Sequence, residues 1–154
     1  MKIAVINGSP KGKYSITLQT VLYLEKKYPQ HEFCVLHAGQ QIKALEKNFS
    51  KAKDLLESSD AVLFSYPVYT FLAPSQLIEL AKTNGVDLKD KYATQISTSK
   101  HFYDITAHKY IEENSLDMGM RYIRGLSADM EDLLAEKGRD DAEKFFNFFL
   151  WSVD

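Results

Sequence analysis

Apolar and polar positions along this chain recur on two different periods, and the switches between them outline the elements. Ile3-Ala4-Val5-Ile6 is a short continuous run rich in β-branched residues, as a strand buried on both faces requires. From Ser15 to Tyr28 the period lengthens: Leu18, Val21 and Leu22 share a helical stripe, and Pro29 stops it. Glu32 to Leu36 predicts a second strand. Ile42 to Ser58 predicts one amphipathic helix carrying Ile42, Leu45, Phe49, Ala52, Leu55 and Leu56. Asp60 opens Ala61-Val62-Leu63-Phe64-Ser65, a third strand and the central one. Pro74 suits a first helical position, starting a helix to about Thr83. Tyr92 to Ser97 predicts a fourth strand. Asp104 caps a helix to about Asp117, with Ile105, His108, Ile111 and Glu112 at helical spacing. Arg121 to Ile123 predicts a short fifth strand, followed by a loop or short helix through Leu134 and a last helix from about Asp140 to Trp151.

Strands alternating with helices make βαβ units. The expected fold class is α/β: a doubly wound, five-stranded parallel sheet in the order 2-1-3-4-5, with helices on both faces. Such sheets bind ligands at the carboxyl ends of their strands, at the switch point between strands 1 and 3. The informative loops are therefore those after Asn7, Ser65 and Ser97.

Composition narrows the class. The 154 residues, 45% hydrophobic and 26% charged with no repeat or low-complexity stretch, suit one globular domain. Nineteen basic residues are interspersed with twenty-one acidic ones, for a formal charge of −2, which argues against nucleic-acid binding. The single cysteine, Cys34, excludes an intramolecular disulfide and any self-contained iron–sulfur or Cys-rich zinc site. No apolar run is long enough for a membrane span, and the start of the chain lacks a signal-peptide pattern. A cytoplasmic location is expected.

The first loop, Gly8-Ser9-Pro10-Lys11-Gly12-Lys13-Tyr14-Ser15-Ile16-Thr17, runs straight into a helix. Hydroxyls, backbone N–H groups, two lysines and a helix N-terminus converge there without an acid, which makes an anion site suited to phosphate. The competing reading is a plain strand-to-helix turn with an N-cap. A Walker loop is excluded because only three residues separate Gly8 from Gly12 and Tyr14 follows Lys13, and the G-x-G-x-x-G pattern is absent. Asn7-Gly8-Ser9 offers no acidic residue to hold magnesium, and no cysteine stands in the loop to serve as a phosphatase nucleophile.

The second loop, Ser65-Tyr66-Pro67-Val68-Tyr69-Thr70-Phe71-Leu72-Ala73-Pro74, holds three aromatics and two stiffening prolines. Its aromatics either stack on a flat ligand or cover the core, and the loop alone does not separate the two. The third, Ser97-Thr98-Ser99-Lys100-His101-Phe102-Tyr103, adds hydroxyls and two potential cations opposite the second. His101 and His108 lack further residues at ligand spacing, so no metal site is expected, and His108 reads as a helix-face residue. No G-x-S-x-G elbow exists.

Gly8-Ser9-Pro10-Lys11 followed by Ser15 and Thr17 resembles the phosphate loop of the flavodoxin-like NAD(P)H-dependent FMN reductases and iron–sulfur flavoproteins. Ser65-Tyr66-Pro67-Val68-Tyr69 with Pro74-Ser75-Gln76-Leu77 is similar to their isoalloxazine loop. Thr98 to Asp104, with Gly125-Leu126-Ser127-Ala128-Asp129-Met130, resembles a subgroup in which this domain precedes larger iron–sulfur modules. The resemblance spans nearly the whole chain.

What it implies is specific. FMN is the expected cofactor and NAD(P)H the expected co-substrate. Ser9, Lys11, Ser15 and Thr17 would hold the FMN phosphate; Ile16 stands in the same stretch, where many relatives carry Asn, and removes one polar contact. Pro67, Val68, Tyr69, Thr70 and Phe71 would pack on the flavin ring. Thr98, Ser99, Lys100 and His101 would border its pyrimidine edge. The flavin carries the chemistry, so no catalytic side chain is expected. The segment after strand 2, His37-Ala38-Gly39-Gln40-Gln41-Ile42, lacks cysteines, so the domain holds no cluster of its own.

The expected function is an FMN-binding, NAD(P)H-dependent oxidoreductase that passes electrons to an iron–sulfur module or other electron-transfer protein. The alternatives are a flavodoxin-type carrier without reductase activity and a flavin-less scaffold. In the last helix Ala142, Phe145, Phe146, Phe149 and Leu150 form one stripe, whereas Phe148 and Trp151 lie largely off it. Those two either cover the sheet edge or await a partner, in a longer chain or a homodimer.

Overall fold

Ile3 and Val5 leave the first strand on one side, Ala4 and Ile6 on the other, and all four are buried. Their continuous apolar run is thus the mark of a sheet covered on both faces. The structure, a computed structural model, describes residues 1–99, 105–129 and 135–153. Its sheet comprises β1 (Lys2–Asn7), β2 (Glu32–Leu36), β3 (Ala61–Pro67), β4 (Tyr92–Ser99), β5 (Arg121–Tyr122) and β6 (Leu126–Asp129). All pairings are parallel, in the order β2-β1-β3-β4-β5, and β6 also pairs with β4. The doubly wound α/β expectation holds.

Helices α1 (Ile16–Lys27) and α6 (Glu136–Val153) cover one face, where Leu18, Val21 and Leu24 meet Ala142, Phe145, Phe146 and Phe149 over Ile3, Val5 and Leu63. Helices α2 (Ala38–Lys47), α3 (Ser50–Ser58), α4 (Leu72–Thr83) and α5 (Ile105–Asp117) cover the other. Phe146 anchors α6, its ring 4.7 Å from Tyr28, 5.7 Å from Phe33 and 5.8 Å from Phe149. Truncating so deeply packed a ring to Ala costs about 3–5 kcal/mol.

Four expectations need correction. The single helix over 42–58 is two helices. Asn48 turns extended, and its Oδ1 accepts the Ser50 amide at 3.0 Å, an interaction with which Asn competes against helical bonding. The first helix therefore begins earlier, at Ala38, and Phe49 is buried at the break. Pro74 is the third residue of α4, whose first turn starts at Leu72; its missing N–H has no helical partner at that position either. The last helix starts at Glu136 rather than Asp140 and runs to Val153.

The predicted fifth strand is split into β5 and β6, and the pairing with β4 slips by one residue between them. Gly125 lies at the slip, where a Cβ would stand 2.5 Å from the Gln95 carbonyl oxygen. Gln95 is buried there with its amide satisfied: Tyr66 donates to Oε1 at 2.6 Å, and Nε2 donates to Tyr122 Oη at 2.5 Å and the His108 carbonyl at 3.0 Å. Nothing in a propensity scale marks such a slip, which falls where Gly125 passes close to Gln95 on the neighbouring strand.

The α6 stripe is buried as expected save the half-buried Leu150, whereas Phe148 and Trp151 are 49% and 74% exposed, their rings 5.9 Å apart. Phe148 borders a cleft with Tyr122, Leu126 and Ser127 at the sheet edge, and Trp151 stands out from it. No helix among the described residues is long and apolar enough to cross a membrane.

Candidate functional site

β1, β3 and β4 end side by side, and the described segments that follow β1 and β3 meet above them. The first, residues 8–15, leaves β1 with the Gly8 amide still bonded to the Ser65 carbonyl of β3 at 2.8 Å. It then closes on itself: the Gly12 amide donates to Ser9 O, the Lys11 amide to Ser9 Oγ at 3.2 Å, and the Ser15 amide to Gly12 O at 3.1 Å. Gly12 adopts φ +55°, a left-handed geometry that favours glycine. Ser15 caps α1, its hydroxyl accepting from the Leu18 amide.

That leaves the Ile16 and Thr17 amides without an acceptor among the described residues. They point out of the positive end of a twelve-residue helix whose first turn carries no acid. Lys11 and Lys13 stand exposed beside them. Ser9 and Thr17 are buried, and the Thr17 hydroxyl lies 2.6 Å from that of Thr98 at the end of β4. The donor set of two free amides, hydroxyls and an ammonium, in a carboxylate-free turn, fits a phosphate monoester.

The second segment follows β3. Pro67 is buried, residues 68–70 form a single 3-10 turn held by the Thr70 hydroxyl on Pro67 O at 3.0 Å, and Tyr69 is 66% exposed. Phe71 turns toward the core side, packing on Tyr66 at 5.8 Å and edge-on to Tyr110 of α5 at 5.2 Å. The second loop thus divides its aromatics between the two readings: Phe71 packs inward and Tyr69 faces out. The loops are also locked to each other, since a Cβ on Gly8 would come within 2.6 Å of Pro74.

Eight of the fourteen sequence-predicted residues converge. One narrow cleft is lined by Ser9, Lys11, Ser15, Ile16, Thr17, Pro67, Tyr69 and Thr98. Val68 and Thr70 flank it in the same turn, and Ser99 ends β4. Lys100 and His101 lie outside the described residues, as does Asp104. His108 is not simply a helix-face residue: its Nε2 lies 2.7 Å from the buried Ser97 hydroxyl. Among the described residues no cluster of three or more His, Cys, Asp or Glu side chains could hold a metal ion.

Sequence reasoning passed over the residues that shape the first loop from beneath. Asn7 was informative only for its lack of charge, yet its amide ties the loop together (Nδ2 to Gly12 O at 2.9 Å, Ser9 N–H to Oδ1 at 3.1 Å). Gly39 in the first turn of α2 lets that helix press on the loop, where a Cβ would lie 2.5 Å from Gly8 O and Ser9 C. A glycine in a first helical turn is the one available signal, because only a close backbone approach calls for it.

Comparison with known proteins adds the following. A family model described as NADPH-dependent FMN reductase matches residues 1–128. Three solved structures share the fold at low identity. An NADPH-quinone reductase from P. pentosaceus matches with TM-score 0.70 and 15% identity, over 96% of this chain and 97% of that one. General stress protein 14 from Treponema denticola, solved in complex with FMN, matches with TM-score 0.68 and 10% identity over 96% of each. A flavodoxin from the domain Archaea matches with TM-score 0.59 and 14% identity, over 94% of this chain and 99% of that one. No curated protein sequence matches this chain.

Proposed function

The chain belongs to the NADPH-dependent FMN reductase family, and on that premise we propose that it binds FMN in the cleft at the ends of β1, β3 and β4. Family membership makes it a flavin-dependent oxidoreductase with FMN as cofactor and NAD(P)H as reductant. The observation that carries the assignment of the site is one cleft shared by an anion turn and an aromatic turn. Ser9, Ser15 and Thr17, the Ile16 and Thr17 amides and the Lys11 ammonium hold the phosphate. Pro67, Val68, Tyr69, Thr70 and Phe71 support the ring, Phe71 from behind. Thr98 and Ser99 would border the pyrimidine edge, and the resemblance assigns Lys100 and His101 to the same edge as the candidates to favour negative charge there.

When bound, the flavin supplies the redox chemistry, accepting hydride equivalents from the nicotinamide and passing electrons onward. The chain's own contribution is orientation and electrostatics. The first turn would hold the phosphate, and the exposed Tyr69 beside it would offer a ring face on the side open to a nicotinamide or a carrier. No side chain needs to act as a general base.

The acceptor we favour is an iron–sulfur module or similar electron carrier. The exposed Phe148–Trp151 pair supports a docking partner of that kind, whether in the same chain or separate, with self-association as the competing use of that surface. A cytoplasmic setting suits both the nicotinamide and the free thiol of Cys34.

Titrating purified protein with FMN and following quenching of flavin fluorescence tests the site. Oxidation of NADPH and NADH at saturating acceptor tests the enzyme. Binding with turnover is the expected result. Binding without turnover leaves an electron carrier, and failure to bind FMN leaves a flavin-less scaffold; release of FAD by heat overturns the cofactor assignment.

A further inference from the structure

The turn that carries the phosphate donors is held by an amide whose orientation is fixed from three sides. Asn7 is fully buried at the end of β1. Its Oδ1 must be an acceptor, because the Ser9 backbone N–H donates to it at 3.1 Å. Its Nδ2 must be the donor, because it reaches the Gly12 carbonyl at 2.9 Å. Flipping the amide would break both bonds, so the flip is settled by the backbone and not by choice. The second Nδ2 hydrogen then faces His37 Nδ1 at 3.1 Å. That nitrogen must accept, which places the imidazole proton on Nε2.

His37 is the last residue before α2, and its carbonyl accepts the Gln40 and Gln41 amides at 3.1 and 3.0 Å. Behind the ring's position, Gly39 presses α2 on the backbone of Gly8 and Ser9, and the Gln40 side chain lies where a Cβ on Gly12 would stand. The ring is thus anchored by the start of α2 and takes the second donor hydrogen of the amide that spaces Ser9 from Gly12. Gly12 O also receives the Ser15 amide, so the same amide sets where α1 begins and where the Ile16 and Thr17 amides point.

We propose that His37 is a positioning residue for the cofactor phosphate, acting through Asn7 on the turn from Ser9 to Ser15. The inference rests on the FMN reading above and adds a residue outside the cleft, on a different element, to the machinery that reads the phosphate. An unpaired Nδ2 hydrogen on a buried amide carries a full desolvation penalty. Relieving it requires the amide to shift or to admit water, and either change spreads Ser9 from Gly12.

The test compares His37→Leu, which removes the acceptor, with His37→Gln, whose side-chain oxygen can restore it. His37→Phe replaces the Leu variant if that one does not fold. FMN and riboflavin, which lacks the phosphate, are each titrated by fluorescence quenching. The expected result is a loss of FMN affinity of about tenfold in the Leu or Phe variant, recovery to within about threefold in the Gln variant, and riboflavin affinity unchanged in all. Equal FMN affinity in the Leu variant and the wild type overturns the inference, as does an equal loss for riboflavin, which would make His37 merely structural. Failure of the Gln variant to recover overturns it too. If wild-type protein binds neither flavin, the functional reading itself fails, a result distinct from each of these.

Discussion

The two loops that flank the cleft are built on opposite principles. Residues 8–15 are bound to one another, to Asn7, to Ser65 and, by close backbone approach, to Gly39. Residues 67–71 carry one side-chain bond within the loop, from Thr70, and leave Tyr69 at 66% exposure. On the proposed assignment, the difference follows from what each loop would recognise. A phosphate is small, charged and strongly hydrated, so the donors replacing its water must be in place beforehand to compete. A flat ring is held by area and tolerates sliding, and the same surface must admit a second reactant. One loop is preorganised and the other is left open.

The contrast is broken most severely by placing charge in the rigid turn. Ser9→Glu puts a carboxylate against the bound phosphate in a position where Ser9 is buried. We expect FMN affinity to fall about a hundredfold or more, roughly 3 kcal/mol. An unchanged dissociation constant would remove the first loop from the site. Gly39→Ala tests rigidity without charge: its Cβ meets Gly8 O and Ser9 C at 2.5 Å, so α2 or the turn must give way. The expected cost is about 1–3 kcal/mol of stability, read by chemical denaturation, together with weaker FMN binding. No loss of either would show that the turn is as pliable as its neighbour.

Tyr69→Ala sharpens the contrast from the other side. Its exposed ring supports no core, so stability should change by less than about 0.5 kcal/mol. FMN affinity should weaken by about 1 kcal/mol of stacking, with a shift in the flavin's reduction potential. A large drop in thermal stability would mean that the second loop is core cover after all.

The same contrast explains how much was legible in the residues. Much that local pattern carries was: the buried runs of β1 and β3, the helix after the first loop, the α6 stripe, and the loops whose Ser9, Lys11, Thr17, Pro67 and Tyr69 meet in one cleft. Several misses turn on polar side chains and close backbone approach. Asn48 breaks a helix by bonding the amide two residues on, and the pairing with β4 slips at Gly125, which is pressed against Gln95, so that the last strand position splits into β5 and β6. Asn7 and His37 act on the phosphate turn from thirty residues apart in sequence. Hydrophobic period has no term for a polar side chain whose partner lies on another element.

The smallest expected effect concerns the one apolar side chain inside the polar turn. Ile16 opens α1, lines the cleft beside Ser9, Lys11, Ser15 and Thr17, and is 45% exposed. Its backbone N–H serves the site, but its side chain offers no donor where an amide would reach the anion. Ile16→Asn should therefore raise FMN affinity by about threefold, the modest net worth of one partly solvated hydrogen bond. Stability should hardly move, since the position is a first helical residue that buries little. Riboflavin affinity should not change, because the added group faces the phosphate alone. An equal gain for riboflavin would mean that the substitution acts on the loop's shape, and the rigid turn would then be less settled than its hydrogen bonds imply. No gain for either flavin would place the Ile16 side chain beyond reach of the phosphate, leaving the helix amides and Lys11 to carry its recognition.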